Sequence, residues 1–180
     1  MTPTLREDPL RRWQLSAIFR QKPTFSKRPR SGNCPNALSG VMIDIVSYQD
    51  RHFRGVEALW EEVFPTDSPW NKASVAIPAK LKVQPDLFIV AEEAGEVVGT
   101  VMAGYDGHRG WLYTVAVRPT QQRKGVGSAL LKEAELRLMK AGCAKANLQI
   151  RADNEAVAAF YQAHGYLVEE RISMGKRFGS

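Results

Sequence analysis

The stretch Val117-Arg118-Pro119-Thr120-Gln121-Gln122-Arg123-Lys124-Gly125-Val126-Gly127-Ser128 decides how this chain folds. The end of a β-branched strand runs into a turn, and the turn opens a helix through two closely spaced glycines. Gly125 and Gly127 carry no Cβ, so a ligand can approach the backbone closely. The first amides of the helix point outward with the positive end of its dipole behind them. A turn of this kind suits an anion. It is not a P-loop, because no Gly-Lys-Ser/Thr ends it, nor a dinucleotide fingerprint, because Leu130 stands where the third glycine belongs. A third design for cradling phosphate is implied, with Gln122, Arg123, Lys124, Gly125, Val126, Gly127 and Ser128 as its residues.

Downstream, Val126, Leu130, Leu131, Ala134 and Leu138 recur at helical spacing until Gly142, a natural left-handed stop. Upstream, Trp111 to Val117 reads as a strand apolar on both faces, as in a sheet packed between helices. Strand, turn and helix form one unit.

This unit resembles the acetyl-CoA site of the GNAT acetyltransferase superfamily, a strand followed by Gln/Arg-x-x-Gly-x-Gly/Ala at a helix start. A second segment strengthens the resemblance. Asn154-Glu155-Ala156-Val157-Ala158-Ala159-Phe160-Tyr161-Gln162-Ala163-His164-Gly165-Tyr166 is similar to the family's Asn-x-x-Ala-x-x-Phe/Leu-Tyr-x-x-x-Gly-Phe/Tyr pattern. The resemblance covers roughly residues 42 to 178. It implies an acetyl-CoA-dependent N-acetyltransferase without a metal, acting by direct attack through a ternary complex. A catalytically weak acyl-CoA-binding module using the same cradle is the alternative.

Within that resemblance, main chain at Val115, Ala116 and Val117 pairs with the pantetheine arm like an added strand, and an N–H there serves the oxyanion. Amides from Arg123 to Ser128 hold the pyrophosphate, with Arg123 and Lys124 adding attraction. Tyr161 stands where the family's tyrosine points its hydroxyl at the CoA sulfur, which makes it the candidate general acid. Its spacing alone suits a packed aromatic on an amphipathic helix. Asn154 is a candidate for the pantetheine, an N-cap for its helix, or both. The base stays open. Relatives that acetylate ribosomal-protein N-termini carry a glutamate where this chain has Gln149, and glutamine cannot take a proton. Asp106, His108, Tyr113 and water are the alternatives. The block Gly104 to Trp111 is similar to a bacterial GNAT subgroup known as YpeA, and reads either as a substrate-facing loop or as an ordinary hairpin tip.

The rest of the chain supplies the frame. A strand is expected over about 43 to 48, then a helix from Asp50 to about Val63, with Asp50 as N-cap and Phe53, Val56, Trp60 and Val63 inward. Pro78 is expected to break or restart a second helix. Leu87 to Ala91 and Val97 to Ala103 form a hairpin through Ala94-Gly95. Ala146 to Arg151 makes another strand, and Tyr166 to Met174 with Lys176 to Phe178 is expected to complete the sheet. The fold class is α/β, a mixed, mostly antiparallel twisted sheet with helices on both faces.

Composition and charge narrow the function. The chain has 180 residues and a net charge of +6. Residues 1–41 hold eight basic residues against Glu7 and Asp8, and the remainder carries 17 basic and 17 acidic residues. The whole excess therefore lies in a Pro-, Ser- and Arg-rich segment that reads as disordered ahead of an acetyltransferase domain at 42–180. Three readings of it stand: an inconsequential extension, a cleaved organelle-targeting peptide, or a tail attracted to nucleic acid. A nucleic-acid partner rests on that tail alone. Cys34 and Cys143 make neither a metal spacing nor a disulfide framework, which suits a cytoplasmic, reducing compartment. No apolar run of about 18 residues exists to span a membrane. The expected partner is a small-molecule or protein amine, met by a monomer or homodimer.

Overall fold

The computed structural model describes residues 42–176 and 178. Five strands, β1 (Ile43–Ser47), β2 (Phe88–Glu93), β3 (Glu96–Tyr105), β4 (Gly110–Val117) and β5 (Ala146–Leu148), form one sheet in the order β1-β2-β3-β4-β5. All neighbours are antiparallel except β4 and β5, which run parallel. Four helices cover the sheet: α1 (Phe53–Val63), α2 (Ala73–Leu81), α3 (Val126–Lys140) and α4 (Glu155–Ala163). A mixed, mostly antiparallel sheet with helices on both faces is the fold expected from the sequence.

The two faces bury separate cores. On one, Val56, Leu59 and Trp60 of α1 and Ala73 and Ile77 of α2 meet Phe88, Val90 and Met102. On the other, Val126, Leu130, Leu131, Ala134 and Leu138 of α3 pack with Tyr161 of α4 over Ile89, Ala91, Val101 and Leu112. Those five α3 residues are the ones its 3.6-residue spacing singles out. The helix ends as expected: Gly142 takes φ +87°, its N–H donates to Met139 O at 3.0 Å, and Cys143 N–H donates to Leu138 O at 3.0 Å. These two bonds take up carbonyls the last turn would leave unpaired.

Four expectations need correction. Asp50 does not cap α1. A short 3-10 turn, Asp50–His52, precedes that helix, and its start is closed by Gln49, whose N–H donates to His52 Nδ1 at 2.8 Å. Pro78 does not interrupt α2, because the only carbonyl it deprives of a partner, that of Ser74, lies on the exposed side of a short helix. β4 is not buried on both faces: Trp111 and Tyr113 are 40% and 42% exposed. The last strands are absent among the described residues. β5 stops at Leu148, and Leu167, Val168, Ile172 and Met174 are exposed rather than paired into the sheet. The residues of that segment are apolar enough for a strand, but a strand also needs a neighbour in register. The readings made for residues 1–41 lie outside the described residues.

Candidate active site

β4 and β5 stay together for only three residue pairs, ending at Leu112 and Leu148. Beyond that point β4 continues from Tyr113 to Val117, held by β3 on one side through Gly99 and Thr100, with no strand on the other among the described residues. The register between β3 and β4 shifts by one residue here, and Thr114 takes φ +51°. A bulge of this kind re-aims a strand and opens its edge. Trp60 supports it from below: its indole N–H donates to Thr100 Oγ1 at 2.9 Å, and that hydroxyl lies 3.4 Å from Thr114 O. Val115 and Val117 are half-buried and Ala116 is buried, so the segment is a fixed edge with open backbone groups.

The strand then enters the turn. Gln122 Nε2 donates back to Val117 O at 3.2 Å, tying the turn to the strand end. Arg123 takes φ +61° and Gly125, the residue just before α3, takes φ +87°. A Cβ placed on Gly125 meets nothing within 4 Å, so the space above it is open. No side chain caps the first turn of α3 and no acidic residue lies in it. Ala129 N–H is the first to find a helical partner, Gly125 O at 3.0 Å, which leaves the amides of Val126, Gly127 and Ser128 facing outward. Exposed Arg123 and Lys124 flank them. Every requirement for binding a phosphate group is met here: unpaired amides, positive dipole, positive side chains and room.

α4 lies across the start of α3. A Cβ on Gly127 would stand 3.4 Å from Phe160 Cζ and 3.7 Å from Val117 Cγ2, and His164 Nε2 is 2.9 Å from Ser128 Oγ. The next residue along from Phe160 is Tyr161, 6% exposed, packed edge-on against Tyr166 with ring centroids 5.4 Å apart. Burial pushes its hydroxyl up to about 12. Tyr161 and Asn154 line a cleft of about 1490 Å³ between β5, α4 and the chain beyond residue 165. Asn154 is the N-cap of α4: its Oδ1 accepts the Val157 N–H at 3.2 Å. The cap is therefore real, and its amide NH2 group stays available for other bonds.

The base candidates are placed less favourably. Asp106 Oδ1 accepts the amides of His108 at 2.7 Å and Arg109 at 2.6 Å, which holds its carboxyl below the usual range and makes it a staple of the 106–109 loop. Gln149 Nε2 donates to Ser173 Oγ. Tyr113 stays protonated, its hydroxyl raised by burial. Lys80, which the sequence did not single out, is buried beneath Tyr113 with its Nζ donating to Ala103 O, and burial lowers it to about 8. Phe160 and His164 were likewise overlooked as site residues, although their spacing of four places them on one helix face.

Among the described residues no group of three His, Cys, Asp or Glu side chains is placed to hold a metal ion, and no helix is long and apolar enough to cross a membrane. The chain is 41% identical over 136 residues to an acetyltransferase of Sodalis glossinidius (strain morsitans), a match covering 75% of this chain and 95% of that one. Many solved structures share the fold, among them the following two. The PaiA N-acetyltransferase of Thermoplasma acidophilum in complex with coenzyme A superposes with a TM-score of 0.65 at 19% identity, covering 73% of this chain and 93% of that one. The ribosomal-protein-S18-alanine N-acetyltransferase of Escherichia coli gives 0.58 at 24%, covering 69% and 77%. The profile of the Acetyltransferase (GNAT) family matches residues 53–166, and the chain belongs to that family.

Proposed function

We propose that this protein moves an acetyl group from acetyl-CoA to a primary amine by direct attack in a ternary complex. The observation that carries the proposal is the parting of β4 from β5 beside the uncapped start of α3, an open strand edge running straight into a phosphate cradle. The residues present fit acetyl-CoA. Amides of Val126, Gly127 and Ser128, with Arg123 and Lys124, hold the phosphates. The backbone of Val115 to Val117 takes the pantetheine arm, with the NH2 group of Asn154 as a further donor.

The amine nitrogen attacks the thioester carbonyl carbon, and a β4 amide stabilises the oxyanion. The C–S bond then breaks. The Tyr161 hydroxyl donates its hydrogen bond to the sulfur as the bond breaks, and the proton the thiol finally keeps comes from solvent, while the proton of the attacking nitrogen leaves to water. Water is assigned that role because Gln149 cannot accept a proton and Asp106 is held as a weak base.

Acetyl-CoA is expected to raise the melting temperature. Ligand at about a hundredfold over its Kd stabilises by about 2.7 kcal/mol, a shift of several degrees for a domain of this size. Gly125→Glu fills the open space with a negative group and abolishes the shift. An unchanged shift in the mutant rules the cradle out. Turnover of acetyl-CoA against a panel of small amines and peptides identifies the acceptor, and absence of turnover with every amine assigns the chain to acyl-CoA binding without catalysis.

A further inference from the structure

The imidazole of His164 bridges the two helices of the site. Nδ1 lies 2.8 Å from Phe160 O, a carbonyl that can only accept, so Nδ1 carries a hydrogen. Nε2 lies 2.9 Å from Ser128 Oγ, in the first turn of α3. The Phe160 ring, against Gly127, packs on the His164 ring with centroids 4.5 Å apart, which fixes the imidazole plane. The ring's charge state therefore decides which way the Ser128 hydroxyl points. A neutral ring has an acceptor at Nε2 and draws the Ser128 hydrogen to itself. A protonated ring donates from Nε2 to the Ser128 oxygen and leaves that hydrogen free to point away.

We propose that His164 is a positioning residue of the phosphate cradle: when protonated it turns the Ser128 hydroxyl outward as a donor to the CoA phosphates, so acetyl-CoA binding takes up a proton. The proposal rests on the reading that the 122–128 turn holds those phosphates. The protonated ring acts through the Ser128 hydroxyl, which gains an anionic acceptor. The charged side chains on the surrounding elements are Arg123 and Lys124 in the turn, Lys132, Glu133, Glu135, Arg137 and Lys140 on α3, Glu155 on α4, and Glu169, Glu170 and Arg171 in the chain after α4; Glu133 pairs with Arg137, and Glu169 with Lys145 and Arg171. Glu135 is engaged by the Tyr166 hydroxyl at 3.0 Å, and no carboxylate forms an ion pair with His164 among the described residues. A phosphate at the turn would thus be the first anion to face the ring.

Calorimetric titration of the full chain with acetyl-CoA from pH 8 to 5.5 tests this. Wild type is expected to bind about threefold to tenfold more tightly at the acid end, the net worth of about one ordinary hydrogen bond, with proton uptake visible as a dependence of the heat on buffer ionisation. The CoA 3′-phosphate titrates in the same range, at about pH 6, and is common to every variant. His164→Ala loses the acid-side gain, and so does Ser128→Ala, while the double variant binds no worse than Ser128→Ala alone. His164→Gln places a permanent donor near the Nε2 position, restores affinity and leaves only the pH dependence of the CoA phosphate itself, a rescue that a merely structural role would not produce. Wild-type pH dependence surviving in His164→Ala, or additive losses in the double variant, overturns the proposal. If Gly125→Glu still binds acetyl-CoA as wild type does, the cradle reading falls, and this inference with it. If that variant loses binding while His164→Ala behaves as wild type, only the inference falls.

Discussion

The Tyr161 hydroxyl stays protonated across the working pH range because burial raises it to about 12. That makes it a poor base and a standing hydrogen-bond donor, the property a departing thiolate requires. A free thiol has a pKa of about 8.5, so the leaving group needs only modest help. Tyr161→Phe keeps the ring packing against Phe160 and Tyr166 and removes one oxygen. Acetyl-CoA affinity is expected to stay near wild type while kcat falls by about 10²-fold, the lower end for general acid catalysis. Steady-state kinetics with the identified amine measures it, and full turnover returns Tyr161 to a packing role. At this scale the sequence was only partly legible. Gly125 announced its left-handed conformation, since glycine is the residue that adopts φ +87° without cost. His164 did not, because its partner Ser128 is 36 positions away and only the packing of α4 on α3 brings them together.

Among the elements, α3 depends on how closely it can approach β3. A Cβ on Gly99 would stand 2.8 Å from Leu130 Cδ1 and 3.1 Å from Val126 Cγ1, so this glycine sets the distance between helix and sheet. Gly99→Val is expected to cost about 1–3 kcal/mol by overpacking and, by displacing the start of α3, to weaken acetyl-CoA binding as well. Denaturant melts and a binding titration on the same sample test both. Asn154→Ala separates cap from ligand contact: loss of the cap costs about 1 kcal/mol of stability, and a simultaneous rise in the Kd for acetyl-CoA adds the pantetheine role. The helices were legible because apolar residues at 3.6-residue spacing need only one face to be buried. The strand ends were not, since the endpoint of β5 depends on a partner that periodicity does not specify.

On the scale of the whole molecule, the charged cluster that ties the start of α1 to the sheet sets the response to acid. Arg51 grips both oxygens of Glu92, at 2.5 and 2.8 Å, and buried His52 lies 3.0 Å from the same carboxylate. The Arg51 hydrogen bond leads in holding Glu92 below its ordinary range, and burial leads in lowering His52. Both shifts are downward, so the stability they contribute is full above the unfolded values, about 4.3 for Glu and 6.5 for His, and is lost as pH falls through the lower folded values. Thermal midpoints are expected to drop on acidification from pH 7 toward 3, with Glu92→Gln less stable at pH 7 and flatter over that range. Equal slopes would remove the cluster from the account. A chain beginning at Met42 is expected to fold and bind acetyl-CoA like the full chain, because the basic excess lies wholly ahead of it. Failure of that chain to melt cooperatively refutes the boundary. What the sequence determined by itself was local: the glycine turn that opens α3, the five buried positions of α3, the Ala94-Gly95 hairpin and the cap at Asn154, each set by the conformational and polar character of residues close in the chain. Only the tertiary structure decided where β4 parts from β5, that Trp60 and Thr100 support the bulge, and that Ser128 meets His164. These depend on contacts between residues dozens of positions apart, where the geometry of packing, rather than local preference, chooses the partner.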